Sequence, residues 1–141
     1  MPIAYADDAA IRDLYARAVQ TFDRGDISWV DYWADEPEFF FPPDPATGFP
    51  GMTLNSREAL TGMVQQAYGM MEGRGLHHFT NLTIDEIDEG ARVRGYLLLV
   101  KSGTGPDNPS QVMQNTRIED IVILTEAGWK FRRRSVGSIW G

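Results

Sequence analysis

The chain contains no cysteine and only two histidines in 141 residues. The first absence excludes a disulfide framework, a zinc site built on thiolates and a cysteine nucleophile, and nothing in the sequence requires an oxidising compartment. Positive charge is also scarce: 13 Lys and Arg stand against 20 Asp and Glu, a formal net charge of −7. That balance argues against nucleic acid, because phosphate contacts need a basic surface. The longest apolar run, Tyr96 to Val100, is far too short to cross a membrane. The start, MPIAYADDAA, has no basic segment leading into an apolar one, so no signal peptide is visible. The expectation is a soluble cytoplasmic protein without nucleic-acid or membrane partners. One domain, residues 1–141, is long enough to bury a core without staples.

What is present is ordered helices first and strands later. From Asp7 to Phe22 the apolar positions Ile11, Leu14, Tyr15, Ala18, Val19 and Phe22 follow the spacing of one buried helix face, and Gly25 ends that helix. A short helical turn carries Ile27, Val30 and Trp33, and Glu38 to Phe41 reads as a strand stopped by Pro42 and Pro43. The stretch PPDPATGFPGMT is expected to be a loop. Asn55 and Glu58 have capping-box spacing, and a helix from Ser56 or Arg57 to about Glu72 would bury Leu60, Met63, Val64, Ala67 and Met71. After Gly75 the period becomes that of strands. His77 to Ile87 and Ala91 to Lys101 form a hairpin, SGTGPDNPS is a loop, and Gln111 to Leu124 and Trp129 to Val136 flank the turn Thr125 to Gly128. This order predicts an α+β domain with helices covering one face of a curved antiparallel sheet.

The two histidines are adjacent, His77 and His78, at the head of HHFTNLTIDEI, and a lone acid, Asp23, closes the first helix in QTFDRGD. Histidine titrates nearest neutrality, so one of the pair is the natural candidate for acid/base work. A carboxylate within about 3 Å of one ring nitrogen would fix the tautomer, stabilise the imidazolium and leave the other nitrogen basic towards a substrate. Neighbouring residues on a strand face opposite ways, so only one histidine can serve. An acid at a helix C-terminus sits against the dipole, a misfit that favours use over decoration; a purely structural hydrogen bond is the alternative.

Aromatic residues are expected around this pair. Phe22, Trp33, Phe39, Phe41, Tyr96 and Trp129, with Met63 and Met113, could line a cavity for a flat apolar ligand, although ordinary core is the competing role for each. Tyr96 could donate to a developing oxyanion or stand at the surface, and Asn115 and Gln114 raise the same question of parity. By strict alternation Arg132 and Arg134 share a face with Lys130, and Arg133 shares one with Trp129 and Phe131. If those aromatics face inward, Arg133 is a buried cation needing Glu119 or Asp120, in an ion-pair ladder or as an oxyanion anchor.

Taken in order, AIRDLYARAVQTFDRGD, SREAL, LHHFTN and RIEDIVILTEAGWKFRRRSV resemble the SnoaL-like branch of the nuclear transport factor 2 superfamily over nearly the whole chain. The resemblance implies a cone-shaped, cystatin-like α+β barrel whose strongly curved antiparallel sheet is covered on its concave side by the N-terminal helices. The members it is similar to include scytalone dehydratase, hexachlorocyclohexane dehydrochlorinase, polyketide cyclases and small subunits of aromatic-ring dioxygenases. In the first two, a strand histidine acts as base and an aspartate at the end of the first helix orients it. Asp23 matches that aspartate, and Thr80-Asn81 as anchor puts His77 in place of the histidine; a His-Phe anchor would select His78. The tyrosines of the dehydratase fall at Phe22 and Phe41 and its second histidine near Leu97. The dehydrochlorinase arginine falls near Leu124 or Thr125.

The implied function is a lyase or isomerase without metal or organic cofactor, acting on a hydrophobic, aromatic, hydroxylated small molecule by dehydration, retro-aldol loss of an aldehyde or proton shift. His77 is expected as general acid/base, Asp23 as its orienter and Tyr96 as a phenol contact, with Phe22, Trp33, Phe39, Phe41, Met63, Met113 and Asn115 around the substrate. The alternatives are a non-catalytic ligand-binding protein, a small structural subunit of a dioxygenase, or a hydrolase using the same pair. Apolar residues on both alternations of IEDIVIL, and the resemblance, imply a homodimer or homotrimer.

Overall fold

In the computed structural model, which describes residues 1–137, the change of period along the chain is a change of layer. Helix α1 spans Tyr5–Asp23 and buries Ile11, Leu14, Tyr15 and Ala18, the stripe its spacing predicts. It stops where Gly25 takes φ +70°, a conformation that costs glycine nothing, and the Gly25 N–H returns to the Phe22 carbonyl at 2.9 Å. A 3-10 helix, Ile27–Tyr32, follows, its N-terminus capped by Asp26, which accepts from the Ser28 N–H at 2.9 Å. Helix α2, Arg57–Met70, is capped by Ser56 accepting from the Ala59 N–H at 3.0 Å, so the capping residue is one place beyond the expected Asn55.

The sheet has strands β1 Trp33–Phe41, β2 Met52–Leu54, β3 Gly75–Ile87, β4 Gly90–Lys101, β5 Gln111–Thr125 and β6 Gly128–Val136, in the order β2-β1-β6-β5-β4-β3. Four ladders are antiparallel, as expected; the β1–β6 ladder is parallel, so the sheet is mixed, and it remains unclosed, with β2 and β3 at its edges. Strand β1 begins at Trp33, which the sequence pattern assigned to the preceding helix, and β2 arises inside the predicted Pro- and Gly-rich loop. Helix α1 packs on β3 and β6, and α2 on β1 and the 3-10 helix. The core runs from Ile11, Leu14 and Ala18 through Trp29, Trp33, Leu60 and Val64 to Val93, Ile118, Val122 and Phe131.

A single extra residue interrupts the pairing in each of the three long hairpin ladders. Asn81 and Leu82 oppose Gly95 alone, Met113 is skipped between the pairs Leu99↔Gln114 and Val100↔Val112, and Arg132 is skipped between Ile121↔Arg133 and Val122↔Phe131. Asn81 has φ +57°, a left-handed conformation that asparagine tolerates better than most residues. A Cβ at Gly95 would stand 2.4 Å from Leu82 Cδ2 and 3.0 Å from the Thr80 carbonyl oxygen, so glycine lets the bulge close over the partner strand without displacing Leu82. Each bulge reverses the inward and outward alternation beyond it.

Candidate functional site

His77 is the third residue of β3 and turns towards the helices, whereas His78 is exposed on the opposite face. Because β3 is an edge strand, some of its N–H groups lack a strand partner. Asp23, the last residue of α1, supplies one. Its Oδ2 accepts from the His77 backbone N–H at 3.0 Å, while Oδ1 lies 2.7 Å from Nδ1 of the same residue. The carboxylate thus holds backbone and ring together, assigns the proton to Nδ1 and leaves the Nε2 lone pair on the other edge of the ring. The Phe22 ring packs on the imidazole at 5.2 Å with the planes at 89°.

His77 lines a cavity of about 310 Å³ between the helices and the inner face of the sheet, and Asp23 lies behind it, outside the lining. The walls are aromatic and aliphatic: Phe22, Trp29, Phe39, Phe41, Phe79 and Phe131 meet Met63, Met70, Met71, Leu97 and Leu99. Among the described residues, Tyr15, His77, Gln114 and Arg134 bring polar side chains to this surface, beside the Trp29 indole. Among the described residues no group of three His, Asp or Glu could hold a metal ion.

Of the predicted contacts, Phe22, Phe39, Phe41 and Met63 line the cavity with His77. Tyr96 does not. It stands on the outer face of β4, 43% exposed, because Leu97 and Leu99 take the inward positions. Trp33 is buried under the lining, between Trp29 and Phe131, and does not reach the cavity. Met113 is the bulged residue of β5 and is 46% exposed, while Gln114 keeps phase with the buried Ile118 and Val122 and faces inward, which puts Asn115 outward. Trp129 is also absent from the lining and directs its indole N–H to Asp7 Oδ1 at 3.3 Å.

The bulge at Arg132 has the largest effect. It puts Phe131 and Arg134 on the same inner face, so the buried arginine is Arg134 and not Arg133. Arg133 is half-exposed beside Glu38 at 3.4 Å. Arg134, 5% exposed, is paired with Asp120, which is fully buried directly opposite on β5: Nε lies 3.0 and 3.2 Å from the two carboxylate oxygens and Nη2 lies 2.9 Å from Oδ2. Tyr15 of α1 donates its hydroxyl to the same Oδ2. Burial first, and the Asp120 carboxylate second, push the Tyr15 phenol well above its ordinary value. Burial alone would lower Arg134, but the charge and hydrogen bonds of Asp120, together with Tyr15, outweigh it and hold the guanidinium above its usual value. The trio is therefore a cation, an anion and a neutral phenol. Strict alternation concealed Arg134 as a cavity group, and helical spacing puts Tyr15 on the buried face of the first helix without giving it a role; the usable signal was a lone Asp120 between the core residues Ile118 and Val122, which demands a buried cation.

These features define a helix-covered, curved-sheet pocket protein of α+β type. The chain belongs to the SnoaL-like domain family, whose profile matches residues 4–135. Its fold is similar to that of Aln2 from a Streptomyces species, with a TM-score of 0.81 at 18% identity over 96% of this chain and 93% of that one. It is likewise similar to an NTF2-like protein with a cystatin-like fold from Novosphingobium aromaticivorans, at TM-score 0.78, 19% identity, and 96% and 84% coverage. A protein of Catenulispora acidiphila solved in complex with S-DNPA gives TM-score 0.71, 21% identity, and 94% and 95% coverage. No curated protein matches the sequence.

Proposed function

We propose that this protein is a cofactor-independent lyase or isomerase for a hydrophobic aromatic compound bearing hydroxyl or carbonyl groups. The observation that carries the reading is the two-point hold of Asp23 on His77, which engages Nδ1 and leaves Nε2 of a cavity-lining imidazole to the ligand. Nε2 takes a proton from a carbon made acidic by an adjacent carbonyl, and Asp23 stabilises the imidazolium that forms. In an isomerisation the proton returns at another carbon. In a dehydration it goes to the departing hydroxyl, so water leaves and His77 ends neutral. Phe22, Phe41 and Leu97, where the sequence resemblance points to the tyrosines and second histidine of scytalone dehydratase, are all apolar lining residues, which argues against that particular reaction.

The test needs no knowledge of the natural substrate. Wild-type protein is expected to accelerate exchange of the carbon-bound protons beside the carbonyl of 6-hydroxy-1-tetralone in deuterated water, followed by NMR. His77→Ala should reduce the rate by about 10²- to 10⁴-fold, and Asp23→Asn should reduce it and alter its pH profile. A folded His77→Ala protein with undiminished exchange would remove His77 from the base role. The apolar lining also suits a binding protein; tight binding of the ketone with no exchange by the wild type would favour that second reading.

A further inference from the structure

The Tyr15–Asp120–Arg134 trio lies apart from the His77 pair, and a mechanism built on the pair alone does not use it. Its construction is unusual for a merely structural ion pair. Arg134 is a cavity residue, and its bonds to Asp120 come from Nε and Nη2, so Nη1, with two N–H groups, is not engaged by them. The Tyr15 proton is directed at Asp120 and its oxygen also faces the Arg134 guanidinium, so a remaining lone pair of that oxygen is the acceptor on the same cavity wall. One region of an otherwise apolar cavity thus carries a strong donor next to an acceptor.

We propose that this region is a subsite for a neutral oxygen of the ligand, a phenol or carbonyl, with Arg134 Nη1 donating to it and Tyr15 accepting where the oxygen bears a proton. Neutrality follows from the charge count. Asp120 already balances Arg134, and Tyr15 keeps its proton, so a ligand carboxylate would bring an uncompensated negative charge beside Asp120 in a wall of aromatic rings. The position follows from the sheet. Arg134 Cζ lies 4.5 Å from the centre of the Phe79 ring, and Phe79 stands on the same face of β3 as His77, about 7 Å along the strand. The ligand oxygen is therefore held across a ring system from the proton-transfer end. This deepens the proposed function and rests on it only for what happens at His77; binding at the subsite can be judged alone.

The probes are naphthalene, 2-naphthol and 2-naphthoate, measured by equilibrium dialysis at neutral pH. Wild-type protein is expected to bind 2-naphthol about tenfold more tightly than naphthalene and to bind 2-naphthoate more weakly than 2-naphthol. Arg134→Lys keeps the charge but loses the fork that reaches Asp120 and ligand together, so the ratio of naphthol to naphthalene affinity should fall at least severalfold. The double variant Asp120→Asn with Arg134→Met removes both charges and should give the same loss if the lysine variant does not fold. His78→Ala, on the opposite face of β3, should leave the preference intact. The subsite is overturned if wild-type protein fails to prefer 2-naphthol, if it prefers 2-naphthoate, or if the preference survives in the folded Arg134 variants. If exchange at His77 fails while the preference holds, only the catalytic reading falls.

Discussion

Asp23 and Asp120 are both aspartates bound to a basic side chain brought from elsewhere in the chain, yet they do opposite things. Asp23 sits near the edge of the sheet with its side chain 12% exposed and holds a group that can gain and lose a proton. Asp120 is fully enclosed and holds a guanidinium that cannot lose its charge. A titratable partner leaves room for proton movement, because either charge state of His77 can live beside the carboxylate. A permanent partner under full burial leaves no such room, and each charge depends on the other. The contrast separates a pair suited to chemistry from one suited to holding shape and orienting a ligand.

The contrast breaks most visibly at Asp120. Asp120→Ala strands the Arg134 charge in an aromatic surround and is expected to cost about 3–5 kcal/mol of folding stability, read by denaturant unfolding. A loss under 1 kcal/mol would mean that water reaches the pair. Tyr15→Phe should cost about 1–2 kcal/mol by removing one donor from the buried carboxylate, and it also carries a pH signature. The folded-state phenol is raised, so its contribution is complete below the unfolded value of about 10 and is lost as pH rises through the folded one. Wild-type stability should therefore decline above about pH 10, and the part of that decline due to Tyr15 should vanish in Tyr15→Phe. The smallest effect is expected at Asp23. Asp23→Ala should cost no more than about 1.5 kcal/mol, since the remaining imidazole can stay neutral; a loss equal to that of Asp120→Ala would erase the distinction between the two aspartates.

The sequence disclosed one of these pairs and hid the other, for a physical reason. Asp23 closes a helix whose spacing is regular from Ile11, and the resemblance anchored on Thr80-Asn81 selects His77 over His78; both histidines precede the first bulge of β3, so no shift of phase upsets that choice. The helix, the hairpins and the aromatic lining at Phe22, Phe39 and Phe41 were legible on the same grounds. Arg134 lies beyond the bulge at Arg132, so alternation counted from Trp129 and Phe131 selects the wrong face; Asn115 is a different case, since it is out of phase with the buried Ile118 and Val122 and only Gln114 shares their face. Tyr96 failed differently. It is followed by Leu97, Leu98, Leu99 and Val100, and a run that is apolar on both alternations has no polar half to set its phase. Trp33 suited a helix by spacing, but it is the residue with which β1 begins.

The three bulges behave like dislocations in a lattice. An extra residue lengthens one strand against its neighbour, and the mismatch is relieved by bending, which is how a pleated sheet becomes a bowl. The same insertion decides which side chains look into the bowl. Curvature and wall chemistry are therefore one degree of freedom in this sheet: a relative that gains or loses a bulge acquires a differently shaped cavity and a different set of groups inside it in a single step, without any substitution in the wall itself.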